Sequence, residues 1–181
     1  MNNSNTEHFI HGVTQKTLQT FPDDRGFFRE ILRYNEEVFS EGQFAQWSHS
    51  KMSKNVVKAW HFHHRQTDWW YVALGTIEAV LYDYRPESPT HEQKMQFILS
   101  GDDSSSSNLI RIPPGVLHGL KVLSDTAHLL YITSQIYDPE DEGRIPYNDP
   151  SIPHDWGHDV ITVPRDRTLH IPSYARVQVD A

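Results

Sequence analysis

The chain has 181 residues, no cysteine and a formal net charge of −8. The missing cysteines exclude disulfides, cysteine-ligated zinc and thiol nucleophiles. The acidic balance disfavours general binding to nucleic acid or to an anionic membrane, although a local basic pocket for a phosphorylated ligand remains compatible with it. Aromatic residues make up 12% of the chain, which argues for a packed core rather than disorder.

Reading from the N-terminus, the polar start "MNNSNTEH" lacks the apolar segment of a signal peptide. No apolar run approaches the ~18 residues of a membrane span, so the expected location is the cytoplasm. Period-two alternation, cut by Gly, Pro, Asp and Asn, predicts strands near 8–20, 26–33, 43–51, 55–64, 69–74, 76–84, 93–99, 108–113, 118–123 and 127–137. "YNEEVF", residues 34–39, reads as a short helix, and "SGDDSSSSN", residues 100–108, as an exposed polar loop. From about residue 138 prolines and acids accumulate, which predicts irregular chain wrapped on the surface with at most a helical turn. Many short strands with close turns predict an all-β sandwich or barrel, organised as a single domain over 1–181 with its core at about 20–137 and a C-terminal extension over 138–181.

Alternation also assigns faces. Along 55–64, Val57, Ala59, His61 and His63 share one side, and Lys58, Trp60, Phe62 and His64 the other. This reading lets His61 and His63 converge on one object, excludes His64, and puts Lys58 on the face away from His61. Along 127–137, Leu129, Tyr131, Thr133, Gln135 and Tyr137 share a side, which suits either a polar pocket lining or an outward solvent face. Trp60, Trp69 and Trp70 read as core or interface rings.

Two patterns resemble the signature motifs of the cupin superfamily, a double-stranded β-helix (jelly-roll) barrel. They are His61-x-His63 followed by Asp68 and Gly75, and "PPGVLH", residues 113–118. In metal-binding cupins the matching positions hold one divalent ion, which implies His61, His63, Asp68 and His118 as ligands here, with Asp where the motif has Glu. Imidazoles and a carboxylate suit Fe, Mn, Ni or Zn. A polar barrel lining without an ion fits the same residues.

A more specific resemblance rests on "DDRGFFRE" (23–30), "FAQWSHSKMSKNVVKAWHF" (44–62), "LYDYRPESPT" (81–90), "IRIPPGVLHGLKVLSD" (110–125), "LLYITSQIY" (129–137) and "YNDPSI" (147–152). These ordered segments resemble the dTDP-4-dehydrorhamnose 3,5-epimerase family, itself a cupin. The resemblance implies an isomerase that epimerises C3, C5 or both in a nucleoside-diphospho-4-keto-6-deoxyhexose, without an organic cofactor. It implies His61 as general base and Tyr131 as general acid across the sugar ring. Arg25, Phe28, Glu30 and Gln46 fall in motifs that hold the nucleotide portion, His118 falls on a second pocket histidine, and Lys58 stands where the family has an arginine. Tyr137 is a candidate to stack on a base or sugar. The resemblance further implies a homodimer with N-terminal strands crossing between subunits.

Three departures from the family pattern bear on the chemistry. Asp68 occupies the position of a lysine placed near the substrate ketone, and His63 that of a glutamine. The aspartate that partners the base has no match at the family's spacing, although Asp166 of "PRDR" lies nearby. Because a metal-bound His61 cannot also act as a free base, an ion would have to spare it. A sugar ketoisomerase, a metal-dependent cupin enzyme and a non-catalytic binding barrel are the competing readings.

Overall fold

The computed structural model describes residues 10–39 and 44–172. Twelve strands run in chain order: β1 Thr14–Thr17, β2 Thr20–Asp23, β3 Gly26–Arg29, β4 Gln46–Ser53, β5 Val57–His63, β6 Asp68–Leu74, β7 Thr76–Asp83, β8 Lys94–Ser100, β9 Asn108–Ile112, β10 Val116–Val122, β11 Thr126–Thr133 and β12 Glu142–Arg144. They form two five-stranded sheets, β1-β9-β6-β11-β4 and β12-β5-β10-β7-β8, with β2 and β3 as a separate hairpin. Every pairing within the sheets is antiparallel. This is the all-β jelly-roll barrel that the short alternating strands predict.

The two inner faces meet in an apolar core that includes Val72, Ile77, Leu81, Leu99, Ile110, Leu120 and Leu129. Burying each such aliphatic side chain contributes about 1.5–3 kcal/mol relative to exposure, which is what holds the sheets together. The residues beyond β12 cover the outer face of the second sheet: Ile145, Ile152 and Trp156 pack on Val57, Ala59, Trp60 and Phe62. Across the other sheet's outer face, Leu18 and Phe39 pack on Trp69, Tyr71 and Ile132. Among the described residues no helix is long and apolar enough to cross a membrane.

Several elements differ from the alternation pattern. The run 8–20 contains β1 and the start of β2, divided at Leu18–Gln19; residues 8 and 9, like residue 43 of the strand expected at 43–51, lie outside the described residues. The 34–39 segment is a turn followed by one short 3-10 turn, Glu37–Phe39, anchored by burial of Phe39. Expected strand 127–137 stops at Thr133, whose side-chain hydroxyl donates to Gln135 O at 2.6 Å and turns the chain aside. The tail carries β12, because Gly143 lets the backbone lie against the ring of Phe62; a Cβ there would meet ring carbons at 2.1 to 2.7 Å. Its residues 173–181 lie outside the described residues.

One irregularity decides what the barrel interior contains. On β10, His118 pairs with His61 and Leu120 with Lys58, so Ala59 and Trp60 together oppose the single Gly119. This β-bulge inserts one residue and shifts the phase of the side chains. Ala59 and Trp60 both go into the outer core, with Trp60 against Trp156 at 5.1 Å between ring centroids. Gly119 is required opposite them, since a Cβ would come within 2.6 Å of the Ala59 Cβ.

Candidate active site

β5 and β10 from one sheet and β6 and β11 from the other line a cavity of about 220 Å³ inside the barrel. That is smaller than the ~300–1,000 Å³ that encloses a whole drug-sized ligand, so it fits one ring rather than a complete nucleotide sugar. His61, His63, Asp68, His118, Tyr131 and Gln46 line it. Tyr137 stands at the rim, half exposed, and donates its backbone N–H to Gln46 Oε1 at 3.0 Å.

The bulge corrects the expected orientation of Lys58. Strict alternation places it away from His61; the extra residue returns it to the cavity, where its Nζ donates to Ser50 Oγ at 2.8 Å. Burial, followed by the charge of Arg165, lowers the pKa of this ammonium. His64, beyond the bulge, points to the outer side and packs its ring on Phe62 at 5.3 Å.

His61 sits between two carboxylates. Its Nδ1 lies 3.6 Å from Glu142 Oε1 and its Nε2 lies 3.5 Å from Asp166 Oδ1. The second contact is at the outer limit of a hydrogen bond, and neither atom has a closer partner. Asp166 is 3% exposed and arrives from the 3-10 turn Pro164–Arg167. Burial pushes its carboxyl up, but the His61 ring and the Val163 N–H outweigh that and hold it below the usual range. Glu142 likewise ends below its ordinary value: burial raises it, while His61 and Arg144 lower it by more. Arg144 Nη2 meets Glu142 Oε1 at 2.5 Å.

His63, Asp68 and His118 form a second group, all buried, with one ligand atom from each lying within 4.8 Å of the others. The rings of His63 and His118 stack at 5.4 Å. Nδ1 of His118 faces Val116 O at 3.1 Å; a carbonyl only accepts, so Nδ1 carries the proton and Nε2 is left as a donor of its lone pair. Burial, ahead of the Asp68 charge that opposes it, pushes His118 down to about 4, and the ring is neutral at physiological pH. Of the four residues in the cupin metal pattern, His61 is thus not in the group; its ring centroid stands 6.3 Å from that of His118.

Arg25, Phe28 and Glu30 do not line this cavity. Arg25 is exposed and paired with Asp23 at 2.5 Å, Phe28 is 65% exposed, and Glu30 binds Arg33 at 2.7 Å. Glu142, Gln66, Ser50 and Arg165 line it without having been marked by any motif. Ser50 lies on β4, on the same face as Gln46, so alternation from Gln46 would have found it; the other three come from a turn and from the tail, where no periodicity signals direction, and the acidic run "DPEDEGR" reads as a solvated loop, yet Asp141 is 2% exposed and Glu142 is 8% exposed.

A barrel interior that sets one imidazole between two carboxylates, with a phenol on the facing sheet, is suited to moving protons, and it places the chain in the class of cupin-barrel enzymes with acid–base equipment. A family model described as dTDP-4-dehydrorhamnose 3,5-epimerase matches residues 7–172. The spore coat polysaccharide biosynthesis protein SpsL of Bacillus subtilis (strain 168) is 39% identical over 150 residues, 81% of this chain and 96% of that protein. The dTDP-4-dehydrorhamnose 3,5-epimerase of Pseudomonas aeruginosa is 37% identical over 76% of this chain and 77% of its own length. The crystal structure of the Legionella pneumophila dTDP-6-deoxy-D-glucose-3,5-epimerase RmlC, in complex with dTDP-4-keto-L-rhamnose, superposes with a TM-score of 0.77 at 32% identity, covering 85% of this chain and 84% of that one. The chain belongs to the dTDP-4-dehydrorhamnose 3,5-epimerase family and is a nucleotide-sugar epimerase, an isomerase.

Proposed function

We propose that the protein inverts C3, C5 or both in a nucleoside-diphospho-4-keto-6-deoxyhexose, with His61 as the base and Tyr131 as the acid. The observation that carries this reading is that the two residues line one cavity from opposite sheets, His61 on β5 and Tyr131 on β11. A hydrogen beside a ketone is weakly acidic. A neutral imidazole takes it from one face, the electron pair passes into the carbonyl as an enolate, and the phenol returns a proton to the other face. The sum is redox-neutral, so the step needs no organic cofactor. Glu142 and Asp166 stabilise the imidazolium that forms, as charge partners that need not themselves take up the proton.

Lys58 and Arg165 give an otherwise acidic protein a positive cavity edge, which fits phosphate as the group bound there. Gln46 and Tyr137 flank the same opening and are assigned to substrate binding, with His118 deeper in. The names of the relatives make a dTDP sugar the first substrate to try, and a cytoplasmic step in surface polysaccharide synthesis the expected setting.

The single-ring size of the cavity supports a homodimer in which each β2–β3 hairpin completes the other chain's site. Phe21, Phe27 and Phe28 are all exposed on that hairpin, near Arg25 and Glu30, an arrangement suited to gripping a nucleotide across a subunit boundary. The whole chain is read as one domain. Incubation with candidate 4-keto sugars in heavy water, followed by NMR, tests the function: deuterium should enter at C3 or C5 with inversion. A shifted carbonyl in the product would instead identify a ketoisomerase, and no exchange in any sugar would overturn the reading.

A further inference from the structure

We propose that Asp68 and His118 form a site for an ammonium group on the sugar ring, so that the preferred substrate is a nucleotide-linked amino-deoxyhexose. The proposal rests on reading the cavity as a nucleotide-sugar site, and not on which carbon is inverted.

This end of the cavity is rich in acceptors. Asp68 is 4% exposed and lines the wall. Gln66 Nε2 donates to its Oδ1 at 2.7 Å and Trp70 Nε1 donates to its Oδ2 at 3.2 Å, which leaves further lone pairs on both oxygens. The same Gln66 nitrogen faces His63 Nε2 at 3.2 Å. An amide nitrogen only donates, so His63 Nε2 accepts, and the ring brings Asp68 no positive charge. Its 3.9 Å approach to Asp68 is the one charged-type contact of that carboxylate among the described residues. His118 adds a second acceptor. It is 5% exposed, its Nδ1 donates to Val116 O at 3.1 Å, and its Nε2 offers a lone pair in the cavity wall.

Geometry selects the group that fits. One side-chain atom from each of His63, Asp68 and His118 lies within 4.8 Å of the others. A nitrogen about 2.9 Å from two acceptors, with tetrahedral N–H bonds, bridges acceptors roughly 4.7 Å apart. A hydroxyl brings one proton and serves only one of them. An ammonium brings three protons, no lone pair and a positive charge. That charge also offsets the cost of burying a carboxylate without a fixed cation.

The other end of the cavity is opposite in sign, with Lys58 and Arg165 close enough to feel each other's charge. Lys58 stands five residues before His63 on β5, at most ~16 Å of strand. A sugar ring with its phosphate covers that span when side chains reach in from both ends. A ligand that is anionic at the diphosphate and cationic on the ring matches both ends.

The test is calorimetry at neutral pH, with chelator present so that no metal ion competes for the same acceptors. The probes are dTDP-6-deoxyhexoses carrying an amino group at C2 or at C3. Each is paired with its hydroxyl counterpart, and all carry a C4 hydroxyl so that no turnover occurs. In at least one pair the amino sugar should bind about tenfold or more tightly, the scale of a hydrogen bond to a charged group. Asp68→Asn keeps the shape and removes the charge, and should bring that pair to within about twofold. Circular dichroism checks the fold of the variant, and the comparison within the parent stands even if the variant does not fold. Equal or weaker binding of both amino sugars, or a preference that survives Asp68→Asn, overturns the ammonium site. No binding of any probe overturns the nucleotide-sugar reading and the site with it. The expected preference, without deuterium exchange in any 4-keto sugar, overturns the epimerase reading and leaves the ammonium site standing.

Discussion

Asp166 Oδ1 lies 3.5 Å from His61 Nε2, and the carboxylate reaches the ring from a turn in the C-terminal extension. The turn holds it there, with the Val163 N–H pointing at its Oδ2. A base that becomes an imidazolium in the transition state gains from a fixed anion beside it, and the buried setting keeps water from screening the pair.

Asp166→Asn keeps the shape and removes the charge. We expect kcat for exchange to fall by about 10²–10⁴-fold with little change in KM, the range for general acid–base catalysis and for the charged partner of a histidine base. The double variant with His61→Gln should be hardly slower than His61→Gln alone, because the two act as one unit. Additive losses would mean that Asp166 only braces the tail.

Lys58 offers a contrast, since its proposed work is binding. Lys58→Met should weaken calorimetric affinity for the nucleoside diphosphate by about tenfold or more and raise KM, with kcat for bound substrate much less affected. Lys58→Arg should recover most of the affinity, as a second cation on a similar stem. A kcat loss at unchanged KM would move Lys58 from phosphate to the reacting ring.

The contrast between Lys58 and His61 also marks what was legible in the chain. Period-two counting put His61 with His63 and turned His64 away, as the structure has them; it put Tyr131 and Thr133 on one face of β11 without saying which way that face points, and the structure turns it to the cavity. It failed at Lys58 because a bulge depends on the partner strand: only the register against Gly119, set by the tight approach of Ala59 and Trp156, reveals the extra residue. Glu142 was illegible, and Asp166 was only noticed as lying near the family's aspartate at a different spacing, for a related reason. A tail without alternation gives no direction to its side chains, and their positions follow from packing of Ile145, Ile152 and Trp156 onto the barrel. Of the four-ligand pattern, His63, Asp68 and His118 come together and His61 stands apart between two carboxylates, a separation that sequence spacing cannot tell.

The exposed β2–β3 hairpin makes a prediction about subunits. If Arg25 serves the partner's cavity, Arg25→Ala and His61→Asn homodimers should each be nearly inactive. Mixing them under conditions that exchange subunits should restore activity, because a mixed dimer then contains one cavity with both residues intact. The ceiling is about a quarter of the parent rate at equal mixing, the share of such cavities expected from random pairing of independent subunits. No recovery, with exchange verified by mass spectrometry of labelled chains, would return Arg25 to a role within its own subunit.

Asp83 gives a prediction about acid stability far from the chemistry. It is 0% exposed at the end of β7 and accepts from Arg85 Nε at 2.7 Å, Ser88 Oγ at 2.6 Å and Thr90 Oγ1 at 2.6 Å. Burial pushes its carboxyl up, but these hydrogen bonds outweigh burial and hold it far below the ordinary carboxylate range. Arg85 also donates to His11 O at 2.7 Å and packs under Gly115, so the group ties three parts of the chain together. The sign follows from linkage. A carboxyl with a depressed folded-state pKa adds stability that is fully present above its unfolded value of ~3.9 and is lost as pH falls toward the folded value. Asp83→Asn should therefore cost about 3 kcal/mol or more at neutral pH, the scale for breaking a buried charged pair. The gap between parent and variant should narrow below about pH 4, as the carboxyl of the unfolded parent takes up its proton while the folded one stays ionised. Urea unfolding of both proteins across that range measures the gap, and a difference independent of pH would show that Asp83 contributes through its hydrogen-bonding shape and not through its charge.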